Sequence, residues 1–109
     1  MKTVVLTLLL IVGVLSQYPT YMNPDDPETI QLTNALIKQY EARVSAPGNV
    51  GLNRVLEAYV TGKGDRIEQY RVKAMLRIIS KHSMSFCMQF KAVKVEGVLT
   101  MYKWNMCKN

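Results

Sequence analysis

The stretch Cys87-Met-Gln-Phe-Lys-Ala-Val-Lys-Val-Glu-Gly-Val-Leu-Thr-Met-Tyr-Lys-Trp-Asn-Met-Cys107 reads as two strands joined by a tight Glu96-Gly97 turn, with a cysteine at each open end. Both runs are rich in Val, Phe, Tyr, Thr and Trp, which fit a pleated surface, and Gly97 supplies the positive φ that a short hairpin turn demands. Counting outward from the turn, Cys87 and Cys107 fall opposite one another or within one residue of it. That is compatible with the Cβ separation of about 3.5–4.5 Å that a disulfide needs. A lone two-stranded ribbon is marginally stable at best in water, so the rest of the chain must pack onto this hairpin.

The chain begins Met1-Lys2-Thr3 and then runs apolar from Val4 to Leu15. A basic start, a short apolar run and small residues at Val14 and Ser16 have the pattern of a secretory signal peptide over residues 1–16. A membrane span would need about 20 apolar residues. Cleavage after Ser16 would leave Gln17 at the N-terminus of a secreted, extracellular chain sized for one modest core. In that oxidising setting two cysteines are read as paired, and only one intramolecular pairing exists. Closing a loop of this length is worth roughly 3 kcal/mol in the chain-entropy model. The net charge of +6 stays basic after loss of Lys2 and favours polyanionic partners, without choosing among them.

Residues 17–26 carry Pro19, Pro24, Tyr18 and Tyr21 with no periodicity, and read as an extended N-terminal arm. Asp26-Pro27-Glu28 is a helix start: Asp accepts from free N–H groups, Pro fits the first helical position, and Glu meets the positive end of the dipole. The helix is expected to run to about Val44, with Ile30, Thr33, Leu36, Ile37, Tyr40 and Val44 on its buried stripe. Gln31, Asn34, Lys38, Gln39 and Glu41 would face away. Ser45-Ala46-Pro47-Gly48 stops it.

From Leu52 to Ser80 periodicity does not separate helix from strand. Tyr70, Val72, Ala74, Leu76 and Ile78 alternate with Arg71, Lys73, Met75, Arg77 and Ile79, as in a half-buried strand. Ile67, Tyr70, Ala74, Met75 and Ile78 also satisfy a helical template, and Asp65 with Glu68 resembles a capping box. Gly62-Lys63-Gly64 divides the region into two elements. The methionines of the C-terminal half, Met75, Met84, Met88, Met101 and Met106, read as adaptable core filler.

The residue inventory argues against an enzyme. His82 is the only histidine, no metal-ligand spacing is present, and a Cys87–His82 dyad would need a free thiol. No catalytic residue, metal or cofactor is therefore expected.

In its order of features the chain resembles the secreted cystatins, which have an N-terminal arm, one long helix and four antiparallel strands wrapped around it. Phe86-Cys87, the alternating strand with Ala92-Val93, a turn ending in Gly97, Val98-Leu99-Thr100-Met101 and the terminal Cys107 carry the resemblance. It implies an α+β, cystatin-like fold over residues 27–109, with one long N-terminal helix on a four-stranded antiparallel sheet. It also resolves Leu52–Gly62 and Arg66–Ser80 as strands. Such inhibitors block papain-like cysteine proteases by occlusion, wedging an N-terminal arm around a glycine, a Gln-x-Val-x-Gly loop and a Pro-Trp loop into the active-site cleft.

Carried over by position, the protease contacts are Ala58, Tyr59, Val60, Thr61 and Gly62 at the first loop. At the second they are Lys94, Val95, Glu96 and Gly97. The motifs differ: residues 17–26 contain no glycine, Ala58 stands where Gln is expected, and Lys94-Val95 replaces Pro-Trp. The function implied is that of a candidate inhibitor of papain-like cysteine proteases with altered wedge motifs. The alternative is a non-inhibitory cystatin-fold binding or host-defence module contacting an anionic glycan or membrane surface through Arg71, Lys73, Arg77 and Lys91. Arg66, Lys81, Lys94 and Lys103 belong to the wider basic set. No specific nucleic acid is expected as a partner.

Overall fold

The last hairpin forms as its residues dictate, and a computed structural model describes it with the rest of residues 18–45, 48–81 and 84–108. The signal-peptide pattern of residues 1–16, together with Gln17, Ala46-Pro47 and His82-Ser83, lies outside the described residues. The elements are β1 (Thr20–Met22), α1 (Pro27–Arg43), β2 (Val50–Thr61), β3 (Ile67–Ile78), β4 (Ser85–Val95) and β5 (Val98–Met106). The strands make one antiparallel sheet in chain order, β1-β2-β3-β4-β5, with α1 packed on one face.

In the β4–β5 hairpin, Glu96 and Gly97 both adopt positive φ, 49° and 87°. That is the signature of a two-residue turn whose twist matches its flanking strands. Val95 pairs with Val98, and the register holds to Ala92↔Met101, where one extra residue, Tyr102, bulges from β5. The bulge advances the register by one. It brings Cys107 opposite Cys87, with a Cα–Cα separation of 5.3 Å and a disulfide between them. The Cys107 N–H also donates to the Cys87 carbonyl at 3.1 Å.

Helix α1 starts where expected. The Asp26 carboxylate accepts from the Glu28 N–H at 3.0 Å, with Pro27 in the first turn. It ends at Val44, followed by Ser45 at φ 55°, a left-handed step that takes the chain off the helical path. Its buried face is Thr29, Thr33, Leu36, Ile37 and Glu41, flanked by Leu32 and Tyr40. Ile30 and Val44, expected on the stripe, are exposed. Threonine can replace them because the Thr33 hydroxyl donates to the Thr29 carbonyl at 2.8 Å and so enters the core without an unpaired donor.

Two residues expected to face solvent instead tie α1 to the sheet. The Glu41 carboxylate accepts from the Val50 N–H at 3.3 Å. The Gln39 side-chain amide donates to the Leu99 carbonyl at 2.9 Å and accepts from the Met101 N–H at 2.7 Å. Gln39 thereby satisfies backbone groups of the edge strand β5 that would otherwise be left open.

The ambiguous region is two strands, as the family resemblance implies. Tyr70, Val72, Ala74 and Leu76 face the helix, and Arg71, Lys73, Met75 and Arg77 face away. The inner face continues through Val55, Ala58 and Val60 of β2, Met88, Phe90 and Ala92 of β4 and Met101 of β5. Phe90 is fully buried and meets Tyr40 edge to face at 5.9 Å. Asn53 and Leu56 are extra residues in β2, and such bulges bend a long strand. α1 touches both β2 and β5, so the sheet curls around it and its other face is convex.

The sheet has five strands rather than four. The segment expected as a free arm contributes β1, pairing Thr20↔Val60, Tyr21↔Tyr59 and Met22↔Ala58. The sequence lacks alternation there because three residues are too few to show a period. What holds them is the open edge of β2, the half-buried Met22 side chain and an edge-to-face contact of Tyr21 on Tyr59 at 5.8 Å.

Candidate functional site

The antiparallel meander places the β2–β3 turn and the β4–β5 turn at the same end of the sheet, because Ile67 pairs with Val95. β1 runs antiparallel to β2 with Thr20 opposite Val60, so Tyr18 and Pro19 lie at that end too. Three chain segments thus meet at one tip.

The β2–β3 turn is held by its own chemistry. Gly62 adopts φ 76°, and a Cβ there would sit 3.0 Å from the Ile67 carbonyl oxygen and 3.2 Å from an Asp65 carboxylate oxygen. Both the conformation and the space demand glycine. The Asp65 N–H donates to the Gly62 carbonyl at 2.9 Å, and the Gly64 N–H donates to the Glu68 carboxylate at 2.8 Å. That backbone bond, with smaller help from the Tyr70 hydroxyl and the charges of Lys94 and Lys63, holds the Glu68 carboxyl below its ordinary value. Burial, and then the bond it donates to Glu68, push the Tyr70 phenol up to about 12.

The two turns are joined across the tip. The Glu96 N–H donates to the Arg66 carbonyl at 2.9 Å, and the Arg66 guanidinium pairs with the Glu96 carboxylate. Both side chains are well exposed, so the ion pair itself contributes little stability. Around the join Ile67, Val95 and Val98 stand 54%, 44% and 67% exposed. They are neighbours by register, Ile67↔Val95↔Val98, and form a small apolar ridge on a pinned backbone.

The residues expected to contact a protease divide by face. Ala58 and Val60 point into the core at 0% and 1% exposure, so their side chains are not available to a partner in this fold. Tyr59 and Thr61 lie half-buried on the opposite face, and Gly62 opens the turn. Lys94 turns toward the helix side, its Nζ 6.0 Å from the centre of the Tyr70 ring, while Val95, Glu96 and Gly97 are exposed at the tip. Arg66, Ile67 and Val98 complete the tip and were not singled out by sequence reasoning as protease contacts. The signal that finds them is register: each flanks a glycine-bearing turn at the end of a paired strand.

The four basic candidates do share a surface. Arg71, Lys73 and Arg77 project from β3 and Lys91 from β4 on the convex face, and Arg71 pairs directly with Lys91. Arg54 joins them from β2 opposite Met75, and Lys103 from β5 opposite Lys91. The Arg71 guanidinium lies 5.3 Å from the centre of the Tyr59 ring, a separation suited to a cation–π contact.

No family model, curated protein or solved structure matches the chain. Among the described residues no helix is long and apolar enough to cross a membrane. No cluster of three or more His, Cys, Asp and Glu residues among them could hold a metal ion.

Proposed function

We propose that the chain is a secreted, cystatin-like occluding inhibitor of papain-like cysteine proteases, working through the tip of the sheet with residues that differ from the usual wedge motifs. The observation that carries this reading is the meeting of three chain segments at one end, with an apolar ridge on turns already fixed by hydrogen bonds. A cleft blocker needs shape and stiffness rather than a reactive group. Ile67, Val95 and Val98 are β-branched and lose little rotamer freedom on contact. The pinned turns likewise spare the ordering cost that flexible loops incur on binding.

The ridge takes the role that the resemblance assigns to Gln-x-Val-x-Gly and Pro-Trp. Gly62 and Gly97 keep the two turns tight enough to enter a cleft. The disulfide at the far end of β4–β5 limits fraying of the strand that carries Val98. Support for the cystatin-like assignment comes from the helix lying between the N-terminal strand and the meander, and from the stapled last hairpin.

The test is steady-state hydrolysis of a small peptide substrate by several papain-like proteases, with folded protein added. Competitive inhibition with the inhibitor recovered uncleaved is the expected result. No inhibition by folded protein at micromolar concentration would overturn the reading.

A further inference from the structure

The convex face of the sheet carries a charge pattern that the tip does not use. Arg54, Arg71, Lys73, Arg77, Lys91 and Lys103 project from it, with Glu57 among them and Asp25 lining a groove beside Arg54 and Arg77. Arg71, Lys91 and Lys103 are direct neighbours on three adjacent strands, about 5 Å apart from strand to strand. Like charges placed directly opposite one another destabilise a sheet, so folding gives no reason for this row. Among the described residues the ion pair is Arg66 with Glu96, and none of the six cations is neutralised by a carboxylate.

The row crosses a groove of about 190 Å³ lined by Tyr59, Thr61, Gln69, Arg71, Lys91 and Tyr102. Tyr102 is the bulged residue of β5, which leaves Tyr102 and Lys103 both exposed between the buried Met101 and Trp104, which pairs with Phe90. Arg71 is steadied over the Tyr59 ring, so its guanidinium is partly ordered before any ligand arrives.

We infer that this face binds a sulfated polysaccharide. Arg71 and Lys91 receive one sulfate at the groove, and Lys103, Lys73, Arg77 and Arg54 receive others along the chain. The hydroxyl and amide groups of Tyr59, Thr61, Gln69 and Tyr102 face sugar hydroxyls. From Arg71 to Arg77 the cations extend about 20 Å along β3, the reach of a linear polyanion rather than of a single ion. The face curls away from any plane and its apolar ridge is confined to the tip. A flexible chain can follow that curve, whereas a flat bilayer would meet only part of it.

The experiment measures binding of the folded chain to immobilised heparin over a range of salt concentrations. Desulfated heparin, phosphatidylserine vesicles and single-stranded DNA serve as competitors. Heparin is expected to bind most tightly, with affinity falling steeply as salt rises. The variant Arg71→Gln/Lys91→Gln/Lys103→Gln should lower the salt slope by roughly one for each cation removed. Lys38→Gln/Lys63→Gln/Lys108→Gln, with the same loss of charge at exposed positions outside this face, should keep the native slope, and melting curves confirm that both variants fold. Four outcomes would overturn the proposal: no binding at low salt, equal slopes for the two variants, equal competition by desulfated heparin, or a preference for vesicles or DNA.

Discussion

The two hairpins that meet at the tip are held by different means. β4–β5 is closed at one end by a two-residue turn and at the other by the Cys87–Cys107 disulfide, so its geometry is fixed within about twenty residues of sequence. β2–β3 has no covalent staple. Its turn depends on Gly62, on the Gly64–Glu68 bond and on the bridge from Arg66 to Glu96. One hairpin is therefore an anchor, and the other borrows part of its order from it. For an occluding tip this matters, because Val98 sits on the anchored side and Ile67 on the borrowing side.

The strongest way to break the comparison is to remove what both hairpins share. Phe90→Ala empties a fully buried site on β4 that packs on Tyr40. It should cost about 3–5 kcal/mol, read by urea denaturation, and melt both hairpins together.

A smaller loss should separate them. Cys87→Ser/Cys107→Ser should cost roughly 3 kcal/mol. Amide exchange should then rise first in β5 and only later in β3. Acceleration confined to β5, with β3 left unchanged, would mean that β2–β3 does not depend on the anchored hairpin.

Gly62→Ala acts on the other side. It places a Cβ at positive φ against the Ile67 carbonyl and should cost about 1–3 kcal/mol, with the disturbance in amide chemical shifts centred on residues 61–68.

The smallest effect is set by pH. The Glu68 carboxyl is held low in the folded state, so the stability it contributes is present above its ordinary value of 4.5. That contribution is lost as pH falls through its lower folded value. Acid should therefore loosen the β2–β3 turn, and Glu68→Gln should remove the dependence. Tyr70 has the opposite sign: its contribution is present below the ordinary phenol value of 10.0 and is lost as pH rises toward about 12.

The two hairpins also differ in how far the sequence discloses them. The β4–β5 hairpin is legible because its turn residue, strand composition and cysteine spacing all act within one local segment. The helix is legible from Asp26-Pro27-Glu28, but its buried face is not. Thr29 and Glu41 are polar in the sequence yet buried, and the partner of Glu41, the Val50 N–H, is one that composition does not reveal.

β2 and β3 satisfy both periodicities because Tyr70, Ala74 and Ile78 lie on one face in either geometry, and only pairing with β4 decides between them. β1 is invisible locally, since its order comes from the edge of β2. For the site, the basic residues of β3 and β4 are readable from alternation. Arg54 is not, because the bulges at Asn53 and Leu56 change which residues of β2 face outward.

The central claim is that the tip acts by filling a protease cleft, and one comparison tests it most directly. The inhibition constant against papain is measured for the native chain and for Val98→Asp, whose side chain is exposed on the anchored hairpin and whose melting temperature should stay close to native. Competitive inhibition by the native chain, weakened at least about tenfold by a buried unpaired carboxylate at the contact, is the predicted result. Folded native protein that leaves papain fully active, or a Val98→Asp variant that inhibits as well as the native chain, would contradict it.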